Sequence, residues 1–234
     1  MSKNLKKTKF YVVATPIGNL GDISFRAIEI LKSVDFILAE DTRVTKKLLS
    51  FYEIEQKVFS YNAHASEDKS NKILEELKNG KNIALVSDAG TPTISDPGFK
   101  IISKVREKIS EKVDIIPIPG PSALISAFSI SGISSAQFTF YGFFPRKKGR
   151  QTLITEIKDS QRTSVFYESP HRLLKTLQLL AENLDENRNI FVARELTKIY
   201  EEKILGSPQE VFEFFEKFSE KVRGEFVIII DALK

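Results

Sequence analysis

Short apolar runs, each closed by a loop and followed by a segment of helical spacing, recur five times between Phe10 and Phe128. The runs are Phe10 to Ala14, Asp35 to Ala39, Val58 to Ser60, Ile83 to Val86 and Val113 to Ile116. Helical segments follow over Phe25 to Ser33, through Leu48 and Leu49, over Glu67 to Asn79, over Phe99 to Ile109, and from Ser122 through Phe128. Ser24 is placed to cap the first of these helices, and Gly80 to stop the third. Strands that alternate with helices pair in parallel, because each helix is the crossover that returns the chain to the same end of the sheet. The first half therefore predicts a parallel α/β sheet.

Three of the loops are built from small residues. The longest lies in LVSDAGTPTISDPG, Leu85 to Gly98, and far exceeds the usual connector of about 2–6 residues. TPIGNLGD follows the first strand and PIPGPSA the fifth. In a parallel sheet such loops lie at the carboxyl ends of the strands, where open α/β sheets bind ligands. Glycine lets backbone approach a ligand closely, and Pro92 and Pro97 stiffen the long loop. Neither GxxxxGK[ST] nor GxGxxG occurs in the loop after the first strand, so no nucleotide motif is assigned there. The loops offer backbone N–H and C=O groups, which suits a compact organic ligand with polar edges.

Charged groups stand at other strand ends. Glu40, Asp41 and Arg43 follow the second strand, Glu168 and His171 the strand Thr163 to Tyr167, and Arg194 and Glu195 the strand Ile190 to Ala193. Asp41 or Thr42 also has the chemistry of a helix N-cap, and one residue can fill both roles. His64 sits in the loop YNAHASED and is an acid/base candidate. After Gly132 the rhythm changes. The segment FTFYGFF, the basic cluster RKKGR, a strand expected over Ile199 to Leu205, a Ser207-capped helix and a last strand, Phe226 to Ile230, predict a mixed sheet. Pro170 suits the first turn of a helix. The expected domains are 1–116 and 117–234. Arg146, Lys147, Lys148 and Arg150 can contact RNA or form a solvated turn, and the lead-in Lys3, Lys6, Lys7 and Lys9 leaves the same choice.

Composition excludes several classes. The chain has no cysteine and two histidines, so disulfides and thiolate metal sites are out and no metal site is expected. No apolar run approaches the ~20 residues of a membrane span. MSKNLKKTKF holds no apolar stretch, so no secretory signal is expected. A net charge of +4 permits a polyanionic partner without demanding one.

VATPIGNLGDIS, ILAEDTR, LVSDAGTPTISDPG, PIPGPSA, FYESPHRLL, ARELTK and GEFVIII stand in the order and spacing of a known family. The chain resembles the tetrapyrrole methylase superfamily, and within it the bacterial branch that methylates small-subunit ribosomal RNA. The resemblance spans about Phe10 to Asp231. It implies a two-domain tetrapyrrole-methylase-like α/β fold, with a parallel-sheet N-terminal domain, a mixed-sheet C-terminal domain and the cofactor cleft between them. It implies a cytoplasmic enzyme, commonly a homodimer, that uses S-adenosylmethionine to methylate a cytidine ribose 2′-hydroxyl in 16S rRNA of the small ribosomal subunit.

By that resemblance the cofactor contacts are Pro16, Ile17 and Gly18, then Ala89, Gly90, Thr91 and Ile94, then Ser122 and Ala123, with Glu168, Ala193 and Leu196 in the second domain. Asp41 matches an acid that serves tetrapyrrole relatives as a base. It is the expected base here, with Arg43 orienting it or the ribose, and His64 and Glu195 as reserves. A methyl donor is already electrophilic, so positioning and proton removal are the protein's tasks. Many relatives continue past the last strand, which implies RNA binding through the dimer surface and the RKKGR turn here. The alternatives are a methyltransferase of the same fold acting on a tetrapyrrole, and a non-catalytic ribosome-binding protein. TPIGNLGD and DAGTP differ from the usual tetrapyrrole-enzyme loops.

Overall fold

A computed structural model describes residues 7–96 and 98–233. Lys3, Lys6 and Pro97 lie outside the described residues. The chain divides after Ser122 into two compact units, each with its own sheet.

In the first unit, β1 (Thr8–Val13), β2 (Phe36–Ala39), β3 (Val58–Ser60), β4 (Ile83–Val86) and β5 (Val113–Ile118) form a sheet in the order β3-β2-β4-β1-β5. Every neighbouring pair is parallel. All five strands thus end at the same edge, as the alternation predicts. The helices are α1 (Phe25–Ser33), α2 (Thr42–Phe51), α3 (Glu67–Lys78) and α4 (Phe99–Ile109). Alternate strand residues point to opposite faces. Phe10, Leu38 and Leu85 pack with Leu77 of α3 and Ile101 of α4, whereas Tyr11, Ile37 and Ala84 pack with Leu31 of α1 and Leu49 of α2. Both sheet faces are covered, which is why these strands read as unbroken apolar runs. Ser24 Oγ accepts from Ala27 N at 3.1 Å and caps α1.

The second unit holds α5 (Ala123–Ser131), β6 (Phe138–Phe143), α6 (Arg150–Asp159), β7 (Thr163–Glu168), α7 (Leu173–Asn183), β8 (Ile190–Arg194), β9 (Glu202–Gly206), α8 (Pro208–Lys217) and β10 (Phe226–Ile230). Its sheet order is β6-β7-β10-β8-β9, with β6 and β7 parallel and the other pairs antiparallel. Ile157 of α6, Leu177 of α7 and Phe215 of α8 pack with Phe166, Val192 and Ile228 of this mixed sheet. Ser207 and Glu210 close a reciprocal capping box at the start of α8.

Two local expectations change, and one helix is added. The strand after Arg194 begins at Glu202 rather than Ile199, because Glu195 (φ 50°) and Thr197 (φ 66°) take left-handed conformations and turn the chain sharply. Ile199 is left almost wholly exposed. Pro170 lies in a turn before α7 rather than in its first helical turn. The stretch after RKKGR is helical, α6, its apolar face reduced to Leu153, Ile154 and Ile157. Among the described residues no helix is long and apolar enough to cross a membrane, and no cluster of carboxylates and histidines is arranged to hold a metal.

Candidate active site

The strand exits of the first unit are tied together. β1 lies between β4 and β5, so the three small-residue loops leave from neighbouring strands. Thr15 N donates to Gly90 O at 2.9 Å and Gly90 N to Thr15 O at 3.0 Å. Thr15 Oγ1 donates to Ser87 O, and Thr91 Oγ1 to Pro121 O at 3.2 Å. Gly90 has φ +75°, and a Cβ there would lie 3.3 Å from Ile17 Cγ2 and 3.7 Å from Pro121 O. A Cβ on Gly120 would lie 3.0 Å from that of Ala14. Small residues are required because the loops pack backbone against backbone. Pro16 and Ile17 are buried in this junction, Gly18, Ala89 and Ile94 are exposed at its rim, and Thr91 and Ser122 are half-buried.

The loop after Thr91 is held in an unusual shape. Thr93 (φ 78°) and Ser95 (φ 62°) are both left-handed. Such conformations cost about 1 kcal/mol or more for residues with a Cβ and persist only where other contacts enforce them. Asp96 is the enforcer: its two carboxylate oxygens accept from Thr93 N and Gly98 N, each at 2.7 Å.

The exit of β2 joins the same edge, since Asp41 N donates to Asp88 Oδ1 at 2.8 Å. The Asp41 carboxylate caps α2 by accepting from Arg43 N at 2.8 Å. It also accepts from Arg43 Nε at 3.0 and 3.1 Å and from Arg43 Nη2 at 2.5 Å. This forked pairing, with the backbone bonds, holds the Asp41 carboxyl down to about 2. A carboxylate so stabilised has little affinity for a proton, which weighs against Asp41 as the base that the resemblance implies.

Glu40 is its opposite. Burial, then the charges of Asp88, Asp96 and Asp41, raise its carboxyl above the usual range. Among the described residues no donor reaches that carboxylate. Asp88 and Asp96 were missed in the sequence, although Asp88 carries the signal that marked Glu40, a charge just beyond a buried strand. Asp96 is itself raised, chiefly by burial.

His64 stands in the exposed loop after the edge strand β3, its amide bonded to Asn62 Oδ1. β3 is two strands from β4, or about 10 Å at normal strand spacing, and Lys100 at the start of α4 reaches Ala63 O at 3.5 Å, which brings the loop that carries His64 against the end of the long loop.

In the second unit the expected site residues are committed to internal contacts. Glu168 is buried, and its carboxylate accepts from Ser169 N at 2.7 Å, Thr176 Oγ1 at 2.7 Å and Arg172 Nη2 at 2.7 Å. Its carboxylate is held as a buried counter-ion by these internal contacts. Glu195 Oε1 accepts from Lys198 Nζ at 2.8 Å and Glu225 N at 2.9 Å. Burial works to raise its carboxyl, but the Lys198 ammonium and the Glu225 amide outweigh it and hold the group low. Glu195 is therefore tied into the corner that joins it to Lys198 and Glu225. Ala193 is buried within β8 between β10 and β9, and Leu196 is buried beyond that strand; Ala123 opens α5. Arg150 bonds to Pro145 O and Thr176 Oγ1 and lies over the Phe144 ring, leaving Arg146, Lys147 and Lys148 as the exposed cations of RKKGR.

The family model of the Tetrapyrrole (Corrin/Porphyrin) Methylases matches residues 9–211. A protein of Bacillus subtilis (strain 168) named "Ribosomal RNA small subunit methyltransferase I" is 50% identical over 223 residues, covering 95% of this chain and 74% of its own. One of the same name from Thermotoga maritima is 45% identical, covering 96% of this chain and 98% of its own. This chain belongs to the ribosomal RNA small subunit methyltransferase I family of tetrapyrrole methylases. The fold is the common tetrapyrrole methylase fold. Cobalt precorrin-4 methyltransferase CbiF superposes with a TM-score of 0.69 at 15% identity, covering 95% of this chain and 94% of its own. A diphthine synthase superposes with a TM-score of 0.72 at 13% identity, covering 96% and 90%. Within this methyltransferase family the tied strand exits and the strand-end acids are the features of the chain on which chemistry can rest.

Proposed function

We propose that this chain methylates small-subunit ribosomal RNA with S-adenosylmethionine as donor, and that the target is the 2′-hydroxyl of a cytidine in 16S rRNA. The names of its relatives at 43–50% identity support the RNA substrate. The single structural observation that carries the chemistry is the junction of Thr15, Gly90 and Pro121. It presents loop backbone, free of bulky side chains, at the carboxyl edge of a parallel sheet. Glycine at φ +75° with neighbours at contact distance fits a loop over which a nucleoside-bearing ligand is laid. Pro16, Ile17, Gly18, Ala89, Gly90, Thr91, Ile94 and Ser122 would hold the donor in this unit. When bound, S-adenosylmethionine supplies an electrophilic methyl carbon on a positively charged sulfur.

A ribose hydroxyl is a weak nucleophile and must lose its proton as it is methylated. We assign that proton to Glu40 rather than Asp41. Among the described residues Glu40 has no donor to stabilise its charge, and it has three acidic neighbours and a raised carboxyl that favours accepting a proton. Asp41 anchors α2 and fixes the Arg43 guanidinium, which remains 86% exposed and free to meet the substrate. Family membership further supports a homodimer acting in the cytoplasm, to be checked by light scattering.

The test is transfer of labelled methyl to small subunits lacking the modification, with mass mapping of the RNA. One new ribose methyl, lost in Glu40→Gln and retained in part in Asp41→Asn, is the expected result. Donor binding without transfer to subunits would overturn the RNA substrate. Transfer only to a tetrapyrrole would establish the rival.

A further inference from the structure

α2 differs from every other described helix in its charge. Its ten residues, Thr42–Phe51, hold Arg43, Lys46 and Lys47 and no acid. α1, α3, α4, α6, α7 and α8 each carry at least one carboxylate, and α5 carries no charge. Thr45, Leu48 and Leu49 turn inward. The outward face is therefore Arg43, Val44, Lys46, Lys47, Ser50 and Phe51. Lys47 lies one turn from Arg43, about 6 Å along the axis. Among the described residues neither Lys46 nor Lys47 has a carboxylate within ion-pair distance, whereas Lys104 of α4 pairs with Glu67. Phe51 is 62% exposed and meets the Tyr52 ring edge-on, with centroids 4.9 Å apart. Two unpaired lysines beside the exposed Arg43, whose guanidinium is held by Asp41, together with an exposed ring, are what a nucleic-acid strand needs, phosphates on the cations and a base on the ring.

Position adds the second argument. The helix starts two residues after Glu40, which lies beside Asp88 and Asp96. That group of acids repels a polyanion. A phosphate backbone brought to Glu40 must be held by positive charge close by, and α2 supplies the nearest cations in sequence.

We propose that the outward face of α2 is the RNA-docking rail of this enzyme. Arg43, Lys46 and Lys47 hold phosphates flanking the target nucleotide, and Phe51 stacks on a base further along the strand. This rests on the rRNA substrate reading given above.

The test measures binding of the full-length protein to purified small ribosomal subunits over a range of salt. Lys46→Glu with Lys47→Glu is expected to weaken binding at least tenfold and to flatten the salt dependence by roughly one to two units of slope. Donor binding stays unchanged. Phe51→Ala is expected to weaken binding about fivefold without changing that slope. Arg106→Glu with Lys108→Glu, two exposed cations of α4, makes the same change of net charge elsewhere and is expected to leave binding within twofold. Equal loss in both double variants would reduce the effect to net charge and overturn the rail, as would an unchanged slope in the α2 variant. Failure of the wild-type protein to bind subunits at all would overturn the substrate reading itself, and the rail with it.

Discussion

Thr15 and Gly90 exchange two backbone hydrogen bonds, with N···O distances of 2.9 and 3.0 Å, and so lock the exit of β1 to the exit of β4. The lock requires Gly90 to be left-handed, at φ +75°. Gly90→Ala keeps the chemistry of the loop but forces an L residue into that conformation, at a cost of about 1–2 kcal/mol. The added methyl also meets Ile17 at 3.3 Å. Calorimetric titration with S-adenosylmethionine is expected to show affinity reduced at least tenfold, with the thermal midpoint lowered by only a few degrees. Unchanged affinity would remove this loop from the donor site.

Glu40 and Asp41 are neighbours with opposite electrostatics, and pH separates them. The Glu40 carboxyl is raised in the folded chain, so the fold binds its proton more tightly than the unfolded chain does. Its contribution favours the fold at low pH and turns against it as pH rises through the raised value. Glu40→Gln is therefore expected to raise the thermal midpoint at pH 8 and to leave it nearly unchanged at pH 4. Asp41 is lowered to about 2, so its contribution is present above the ordinary carboxylate range and lost only as pH falls toward 2. Asp41→Asn is expected to lower the midpoint at neutral pH.

The proposed base ties the same acids to the rate. A base must be ionised to accept a proton, so the acid limb of the kcat/KM profile follows Glu40. Asp88 helps raise Glu40. Asp88→Asn removes that charge while an amide oxygen can still accept from Asp41 N. The acid limb is expected to move to lower pH with the maximal rate little changed. An immobile limb would place the titrating base elsewhere.

Glu168 tests the difference between a ligand contact and a buried counter-ion. Its carboxylate faces Arg172, Thr176 and the Ser169 amide in the interior of the second unit. Removing one member of a buried pair leaves the other charge uncompensated, typically at about 3–5 kcal/mol. Glu168→Gln is expected to lower the thermal midpoint by several degrees while donor affinity in the folded fraction stays within twofold. A selective loss of affinity would restore Glu168 to the donor site.

The parallel unit was legible because its strands are buried on both faces. Ile83 to Val86 and Asp35 to Ala39 read as apolar runs, and Ser24 caps a helix by local chemistry that spacing reveals. The roles of the acids were not legible. Glu40 and Asp41 are adjacent in sequence, and it is the burial of Glu40 beside Asp88 and Asp96, against the fork of Arg43 onto Asp41, that separates their proton affinities. α6 was hidden because three apolar residues suffice to seat it. Ile199 misled because strand propensity is overridden where Glu195 and Thr197 turn the backbone left-handed.

That turn makes the strongest single prediction about stability. Gly224 has φ +86°, and a Cβ there would fall 2.2 Å from Glu195 Cδ, 2.3 Å from Oε1 and 2.5 Å from Cγ. No side-chain atom can occupy that space while Glu195 bonds Lys198 and the Glu225 amide. Gly224→Ala must therefore expel the Glu195 carboxylate and strand the Glu225 N–H, in addition to the conformational cost at a left-handed position. The expected loss is about 3 kcal/mol or more, read by denaturant unfolding. Adding Glu195→Ala to Gly224→Ala removes the colliding atoms but not the backbone cost. The double variant is expected to recover part of the loss rather than add to it. Strict additivity would mean that the two residues do not share this space. A corner role for Glu195 also requires that Glu195→Gln retain methyl transfer near the wild-type rate, because the amide oxygen still accepts from Glu225 N while any capacity to act as a base is gone.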